Sequence, residues 1–117
     1  MRHEQELFRK ALHLLKPIPS DQFIEGEFTD GISKCCSVGH LARLTNNPKD
    51  YSKHNCSDNS FTIDIRYASE RLADEIGIKS KREFNIAHVN NGQTKKNWGS
   101  NPKERVINFL DFAIAHS

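Results

Sequence analysis

The sequence predicts a mainly α-helical fold: a compact bundle of about five helices in a single domain over residues 1–117, with a short β-hairpin or irregular insertion near residues 22–34. Three observations support this prediction. Apolar residues recur at helical spacing in five separate segments. Capping and helix-breaking residues bound most of these segments. The length of 117 residues is that of one ordinary domain, and no linker or internal repeat divides it.

The first helix is predicted over residues 3–15. Its apolar residues recur at helical spacing, and they are Leu7, Phe8, Ala11, Leu12, Leu14 and Leu15. Pro17 ends this helix, because a proline disfavours helical backbone in the residue before it. Residues 23–31 follow, with two glycines and an Asp-Gly pair. Such a segment is typical of a short hairpin or an irregular crossing to the next element.

The second and third helices are separated by a polar segment. A buried helix over residues 35–45, with Ser33 as its candidate cap, is predicted from the spacing of Cys36, Leu41 and Leu44. Residues 48–58 are polar and aperiodic, and therefore predict a loop. The third helix is predicted to begin at Ser60 and to run for about four turns. Gly77 closes it, because glycine readily adopts the left-handed backbone found just after helices.

Capping residues mark the last two helices. Ser80 and Glu83 have the spacing of a capping box, which predicts that the fourth helix starts there and ends near residues 90–92. A polar loop around Trp98 follows. Asn101 is the predicted cap of the fifth helix, with a proline at its first position and a glutamate at its third. The apolar residues of that helix are Val106, Ile107, Phe109, Leu110, Ala113 and Ile114.

Composition restricts the class of protein. Charged residues make up 27% of the chain and apolar residues 36%, which indicates a globular protein and not a disordered one. No apolar run is long enough to cross a membrane, and the polar N-terminus lacks a signal-like apolar core. Three cysteines, two of them adjacent, do not indicate a disulfide framework. The sequence therefore predicts a cytoplasmic protein with no membrane partner.

The richest chemistry lies in residues 34–41, which contain Cys36 and His40. On a helix these two side chains share a face, and a thiolate near a helix N-terminus is stabilised by free N–H groups. His88 and Asn90 from later in the chain would complete a Cys-His-Asn arrangement like that of thiol hydrolases, so all four residues are candidate catalytic residues. The preferred interpretation is that Cys36 is a packing residue, because free cysteine is among the most buried residue types.

Metal binding is a further hypothesis for the same residues. Cys36 and His40 together with His54 and Cys56 would supply two thiolates and two imidazoles, a ligand set that suits zinc. Their spacing is not that of a zinc finger or ribbon, so no metal site is predicted. No cofactor is predicted either, because the common nucleotide-binding and hydrolase motifs do not occur in the chain.

Positive charge is concentrated late in the chain. Between Lys79 and Arg105 there are seven basic residues and two acidic ones, a net charge of +5, whereas the whole chain carries only +2. Such a segment could face an acidic partner, a nucleic acid or a membrane surface, and the preferred interpretation is a solvated face. An exposed Trp98 among lysines would anchor a partner protein or stack on a base; the alternative is that Trp98 folds its loop onto the core. The candidate partner-binding residues are Lys79, Lys81, Arg82, Lys95, Lys96, Trp98 and Lys103.

Five short segments follow one another in a distinctive order: 7–12, 23–26, 36–41, 89–91 and 104–113. This order resembles a loose group of uncharacterised bacterial and phage proteins, whose pattern runs helix, W-x-x-G, C-x-L-G-x-L, W-N-D and a closing helix. The chain departs from that pattern at three positions, with Phe23 for Trp, Val38 for Leu and Asn91 for Asp. The group has no established activity, so the resemblance implies a fold more than a function. It implies that one structural centre contains Gly26, Cys36, Gly39 and Asn90.

Three functions remain open. The preferred one is a small non-enzymatic binding or regulatory protein, of a phage-type or accessory kind, that acts through contacts with a partner protein. The first alternative is a thiol-dependent hydrolase or transferase that uses Cys36 with His40 or His88. The second is a weak nucleic-acid binder through residues 79–105. It is less favoured, because the charge excess is small and no nucleic-acid-binding motif is present.

Overall fold

Five α-helices and two short 3₁₀ turns make up the part of the chain that the structure describes. The structure is a computed structural model and describes residues 3–26, 34–46 and 59–117. The helices are α1 (His3–Leu15), α2 (Ser37–Thr45), α3 (Ser60–Glu75), α4 (Ile86–Asn90) and α5 (Pro102–His116), and the 3₁₀ turns are Ser20–Gln22 and Lys81–Phe84. The predicted fold class, a compact and mainly helical bundle of five helices, is confirmed. No helix in the described ranges is both long and apolar enough to span a membrane.

Helices α1 and α5 lie antiparallel against each other. Near one end of the pair, Gln5 Nε2 donates to the carbonyl of Ile114 at 3.1 Å. At the other end, Lys103 Nζ donates to the carbonyl of Lys16 at 2.7 Å. The second contact also places a cation on a free carbonyl just past the C-terminus of α1, where the helix dipole favours positive charge.

The core lies between this helix pair and the other elements. Its fully buried apolar side chains come from every helix and from the second 3₁₀ turn, and they include Phe8, Leu15, Leu41, Ile65, Phe84, Val89, Phe109 and Leu110. Aromatic rings meet edge to face around Phe84, whose centroid lies 4.7 Å from that of Phe109. Edge-to-face pairs of this kind stabilise a core beyond the area they bury. The fold therefore fixes the position of the second 3₁₀ turn on α5.

The segment near residues 22–34 is irregular at its described ends. Phe23 and Cys35 form a single isolated bridge of parallel sense. Ile24 N–H donates to the Cys35 carbonyl and Cys35 N–H donates to the Gln22 carbonyl, both at 3.1 Å. The β-hairpin alternative is wrong for this pairing, because hairpin strands are antiparallel. Gly26 (φ +83°) turns the chain away after this bridge.

Two predicted helix caps are wrong. Helix α2 is capped by Cys36, not by Ser33, which lies outside the described residues. Ser80 makes no capping hydrogen bond, and the residues after it form a 3₁₀ turn. Helix α4 is capped by Asn85 instead, whose Oδ1 accepts from the N–H groups of Ala87 and His88. Helix α4 does not begin after Ser80, because Asn85 competes as the cap and asparagine is among the best N-cap residues.

The caps of α3 and α5 follow the prediction more closely. Asn59 and Thr62 form a reciprocal capping box around the predicted first residue, Ser60. Gly77 has φ +81° just beyond the end of α3, in the left-handed region expected there. Asn101 Oδ1 accepts from the Glu104 N–H at 2.9 Å, as predicted. Both helices therefore begin where local capping chemistry places them.

Candidate functional site

Cys36 lies at the N-terminus of α2 and is buried. Its Sγ accepts a hydrogen bond from the N–H of Gly39 at 3.4 Å, so the side chain is the N-cap of the helix. Burial raises the pKa of the Cys36 thiol above its ordinary value, and this outweighs the lowering effect of the N–H groups of Gly39 and Val38. Cys36 is therefore a neutral thiol at physiological pH and not an activated nucleophile.

His40 is fully buried, and both of its ring nitrogens are engaged. Nε2 lies 2.8 Å from the Gln22 carbonyl, and Nδ1 lies 3.1 Å from the Nε of Arg43. A carbonyl can only accept and Arg43 Nε can only donate, so the partners assign the neutral tautomer with the proton on Nε2. Burial lowers the pKa of His40, and the Gln22 carbonyl opposes this shift less strongly. Both imidazole nitrogens are thus hydrogen-bonded to Gln22 and Arg43, so neither is placed to accept the Cys36 proton.

Asn90 is the centre of a buried polar network. Its Oδ1 accepts from the N–H of Ser37 at 3.0 Å and from Ser37 Oγ at 2.7 Å. Its Nδ2 donates to the Ile24 carbonyl at 2.9 Å and to Asn91 Oδ1 at 3.0 Å. Asn91 Oδ1 in turn accepts from the N–H of Gly26 at 2.9 Å. The buried amide therefore has its hydrogen-bonding capacity filled by protein groups.

Arg105 closes this network from the side of α5. Its Nε and Nη2 donate to the carbonyl of Asn90 at 3.3 and 2.8 Å, and Nη2 also pairs with the carboxylate of Glu25. A cation on the last carbonyls of α4 satisfies groups that a helix terminus leaves free. Arg105 and Asn90 together hold the chain at residues 24–26 against the ends of α2 and α4.

The structure thus brings together the residues that the resemblance grouped. Gly26 is bonded to Asn91, Asn90 is bonded to the residue after Cys36, and Cys36 is bonded to Gly39. Their contacts are those of a structural centre. The sequence reasoning missed Ser37, Gln22 and Arg105, whose partners lie 53, 18 and 15 residues away and leave no local pattern.

The other predicted catalytic and metal-binding residues do not join this centre. His88 is partly exposed, and its Nδ1 lies 3.1 Å from Gln93 Oε1. His54 and Cys56 of the zinc hypothesis lie outside the described residues. Within the described ranges, no group of three or more potential metal-binding side chains is found.

Trp98 is buried, so the interpretation in which it is exposed among lysines is wrong. Its ring packs edge-on against Phe109 and Phe112, with centroids 5.4 and 5.5 Å away. Lys96 Nζ covers the ring at 4.2 Å from its centroid. The carbonyl of Trp98 accepts from Asn108 Nδ2 at 2.7 Å. Trp98 therefore fastens the loop at 93–100 onto α5, which was the alternative interpretation.

The predicted basic residues divide into two groups. Lys81 is paired with the carboxylate of Asp74, and Lys103 is bound to the end of α1. Lys79, Arg82, Lys95 and Lys96 are exposed, and in the described part of the chain none of them is paired with a carboxylate. We call these four residues the basic surface.

One long-range hydrogen bond places the two halves of the basic surface side by side. The N–H of Lys95 donates to Glu83 Oε2 at 2.7 Å, so the loop of Lys95 and Lys96 lies against the 3₁₀ turn that carries Arg82. The Glu83 carboxylate that was predicted to cap α4 is used for this contact. Positive charge from two segments is thereby concentrated on one region of the molecule.

Comparison with known proteins gives no further guide to the site: no family model, no curated protein and no solved structure matches the chain. Function must therefore be inferred from the geometry of the site itself.

Proposed function

We propose that the protein is a small non-enzymatic binding or regulatory protein that holds an acidic partner protein through the basic surface. The observation that carries this proposal is the hydrogen bond from Lys95 N–H to Glu83, which brings together cations from two segments that have no carboxylate partner among the described residues. Clustered charge of one sign steers association and selects complementary partners. Cys36 is a free thiol, which supports a reducing compartment such as the cytoplasm of a bacterial or phage-infected cell.

The thiol-enzyme alternative is less well supported by the site. A Cys-His nucleophile needs an imidazole in contact with the sulfur and a lowered thiol pKa. Here the pKa of Cys36 is raised by burial, and both nitrogens of His40 bind other groups. The side-chain amide of Asn90, the third member of the Cys-His-Asn arrangement, is hydrogen-bonded to Ser37 and Ile24.

The nucleic-acid alternative is weakened by the position of Trp98. Proteins that bind single strands stack bases on accessible aromatic rings, and Trp98 lies beneath Lys96 with only 7% of its surface exposed. The net charge of +2 is also small for a nucleic-acid-binding domain. Binding of an acidic protein surface requires only exposed cations.

Site-specific photocrosslinking in the cells that produce the protein tests this proposal. A photoreactive phenylalanine derivative is placed at Arg82, in the basic surface, or at Arg9, an arginine of α1 that is also exposed. We expect a discrete protein adduct from position 82 and none from position 9. The adduct should survive nuclease treatment and should be lost when Lys95 and Lys96 are both changed to glutamate.

The result can contradict the proposal in two ways. Absence of any adduct from position 82, or equal adducts from both positions, would overturn binding through this surface. An adduct that disappears after nuclease treatment would favour the nucleic-acid alternative instead.

A further inference from the structure

A small cleft lies beside the basic surface, between the loop at 92–99 and the first turn of α5. Its volume is ≈ 190 Å³, several times the volume of a water molecule in the liquid, which is about 30 Å³. It is lined by Gly92, Thr94, Lys95, Lys96, Asn97, Trp98, Gly99 and Arg105. The cleft can therefore receive a single side chain or a chain terminus.

The lining of this cleft is cationic. Lys95, Lys96 and Arg105 line it, and none of the lining residues is acidic. Arg105 is already paired with the carboxylate of Glu25, whereas Lys95 and Lys96 have no carboxylate partner in the described part of the chain. A group that enters the cleft therefore meets two lysine cations that are not neutralised by an ion pair.

Hydrogen-bond donors accompany that charge. The side chain of Arg105 is only 11% exposed, and its Nε and Nη2 bind protein groups while Nη1 has no partner among the described residues. The lining also contains the ammonium groups of Lys95 and Lys96. A ligand that supplies an acceptor can therefore bind several charge-assisted donors in the cleft.

The cleft is also held rigid. Lys95 N–H is bonded to Glu83, and the Trp98 carbonyl is bonded to Asn108. At Gly99 a Cβ atom would lie 2.9 Å from Glu104 Cγ and 3.0 Å from the Arg105 backbone nitrogen. Any larger residue at this position would therefore displace the first turn of α5. A binding site that is ordered beforehand loses less entropy when its ligand arrives.

We infer that this cleft binds a carboxylate of the acidic partner, with Lys95 and Lys96 as its cationic contacts. A carboxylate is an acceptor-only group of matching charge and size. The inference rests on the proposed function, since it names the chemical group through which the partner is recognised. Both an acidic side chain and a C-terminus supply that group.

Peptide binding to the full chain tests the inference, with Trp98 as the reporter because it is the only tryptophan. The probes are an end-blocked oligoglutamate, the matched oligoglutamine, and an oligoglutamine with a free C-terminal carboxylate. Backbone NMR shifts of Gly92 and Gly99 provide a second measure, which does not depend on the Lys96 contact with the indole. We expect saturable changes at Trp98, Gly92 and Gly99 with a carboxylate-bearing peptide and none with the blocked oligoglutamine.

Two double variants provide the matched control. The pair Lys95→Gln with Lys96→Gln and the pair Lys79→Gln with Arg82→Gln each remove two exposed charges from the basic surface. We expect the first pair to weaken binding at least about tenfold, as for lost charge-assisted hydrogen bonds, and the second by less than about threefold. A response to oligoglutamate identifies side-chain carboxylates as the ligand, and one confined to the free C-terminus identifies a chain terminus.

Failure of this inference is distinguishable from failure of the proposed function. Equal losses of affinity in both double variants would contradict binding in the cleft, and so would binding that leaves the signals of Trp98, Gly92 and Gly99 unchanged. Either result would still agree with binding through the basic surface as a whole. If no peptide binds, the cleft proposal is likewise overturned. Photocrosslinking at Arg82 decides separately whether a partner protein contacts the surface at all.

Discussion

Asn90 binds both polar groups of Ser37 that face it: its Oδ1 lies 3.0 Å from the Ser37 nitrogen and 2.7 Å from Ser37 Oγ. Ser37 is the first residue of α2, and Asn90 is the last residue of α4. One side chain therefore satisfies a free N–H at the start of one helix from the end of another. This contact explains why the amide of Asn90 is buried next to the start of α2.

Replacement of Asn90 should destabilise the protein strongly. We expect Asn90→Ala to lower the free energy of unfolding by about 2–4 kcal/mol, because the buried Ser37 N–H and the partly buried Ile24 carbonyl would lose their partner. Urea unfolding of the purified variant measures the loss. Asn108→Ala, which removes an exposed amide with one hydrogen bond, is the control and should cost less than about 1 kcal/mol. Similar losses in the two variants would contradict the central role of Asn90.

Cys36 should react slowly with alkylating agents in the folded protein. Burial raises the pKa of its thiol, so the thiolate fraction at pH 7 is lower than that of a free thiol. Site-resolved mass spectrometry after treatment with iodoacetamide, with glutathione as the reference thiol, measures the rate. In denaturant the difference should disappear. Alkylation of native Cys36 faster than glutathione would restore the thiol-enzyme alternative.

The sulfur of Cys36 should also contribute as a helix cap. Because Sγ accepts from the Gly39 N–H, Cys36→Ala removes the cap of α2, whereas Cys36→Ser keeps an acceptor at the same place. We expect the serine variant to be more stable than the alanine variant by about 1 kcal/mol, the usual value of an N-cap. Thermal or urea unfolding of the two variants provides the comparison. Equal stability would show that the sulfur acts by packing alone.

Acidification should destabilise the fold through His40. Its folded-state pKa lies below the ordinary 6.5, so the unfolded chain binds the extra proton first as the pH falls. The stabilisation by neutral His40 is therefore complete above about pH 6.5 and is lost progressively below it. NMR titration of the imidazole should give a midpoint below that of the unfolded chain, which is about 6.5. A midpoint at or above that of the unfolded chain would contradict this prediction.

Trp98 should tolerate loss of its N–H but not loss of its ring. Trp98→Ala is expected to cost about 3–5 kcal/mol, because the ring packs on Phe84, Phe109 and Phe112. Trp98→Phe should cost less than about 1.5 kcal/mol, since Nε1 has no partner among the described residues. Unfolding by denaturant compares them. An equally large loss in both variants would mean that Nε1 is bonded in the folded protein.

Local signals in the sequence predicted most of the helices. Helix α1 follows from its apolar periodicity and from Pro17, and α5 from the Asn101 cap, because each depends on residues within one or two turns. The start of α4 was predicted wrongly. Ser80 and Glu83 fit a capping box, but the Glu83 carboxylate binds the N–H of Lys95, twelve residues away. No pattern within one helix turn encodes such a contact.

The candidate site was less predictable than the fold, for the same reason. Cys36 and His40 were predicted to share a helix face, whereas Cys36 is the extended N-cap that precedes α2 and His40 lies within the helix. The contacts of His40 depend on Gln22, which is distant in the sequence. Asn90 was identified as a candidate, whereas its partners Ser37 and Ile24 lie 53 and 66 residues away in the chain. Residue type gave the chemistry that each side chain could perform. Tertiary packing decided that these side chains bind one another.

The antiparallel pairing of α1 and α5 affects how the protein folds while it is synthesised on the ribosome. Lys103 binds the end of α1 across 87 residues of sequence, so α1 packs against a helix that is synthesised much later. During translation the apolar stripe of Phe8, Ala11 and Leu15 stays without this neighbour until α5 has emerged. We expect nascent chains to depend on holding chaperones over that interval, because exposed apolar surface promotes aggregation.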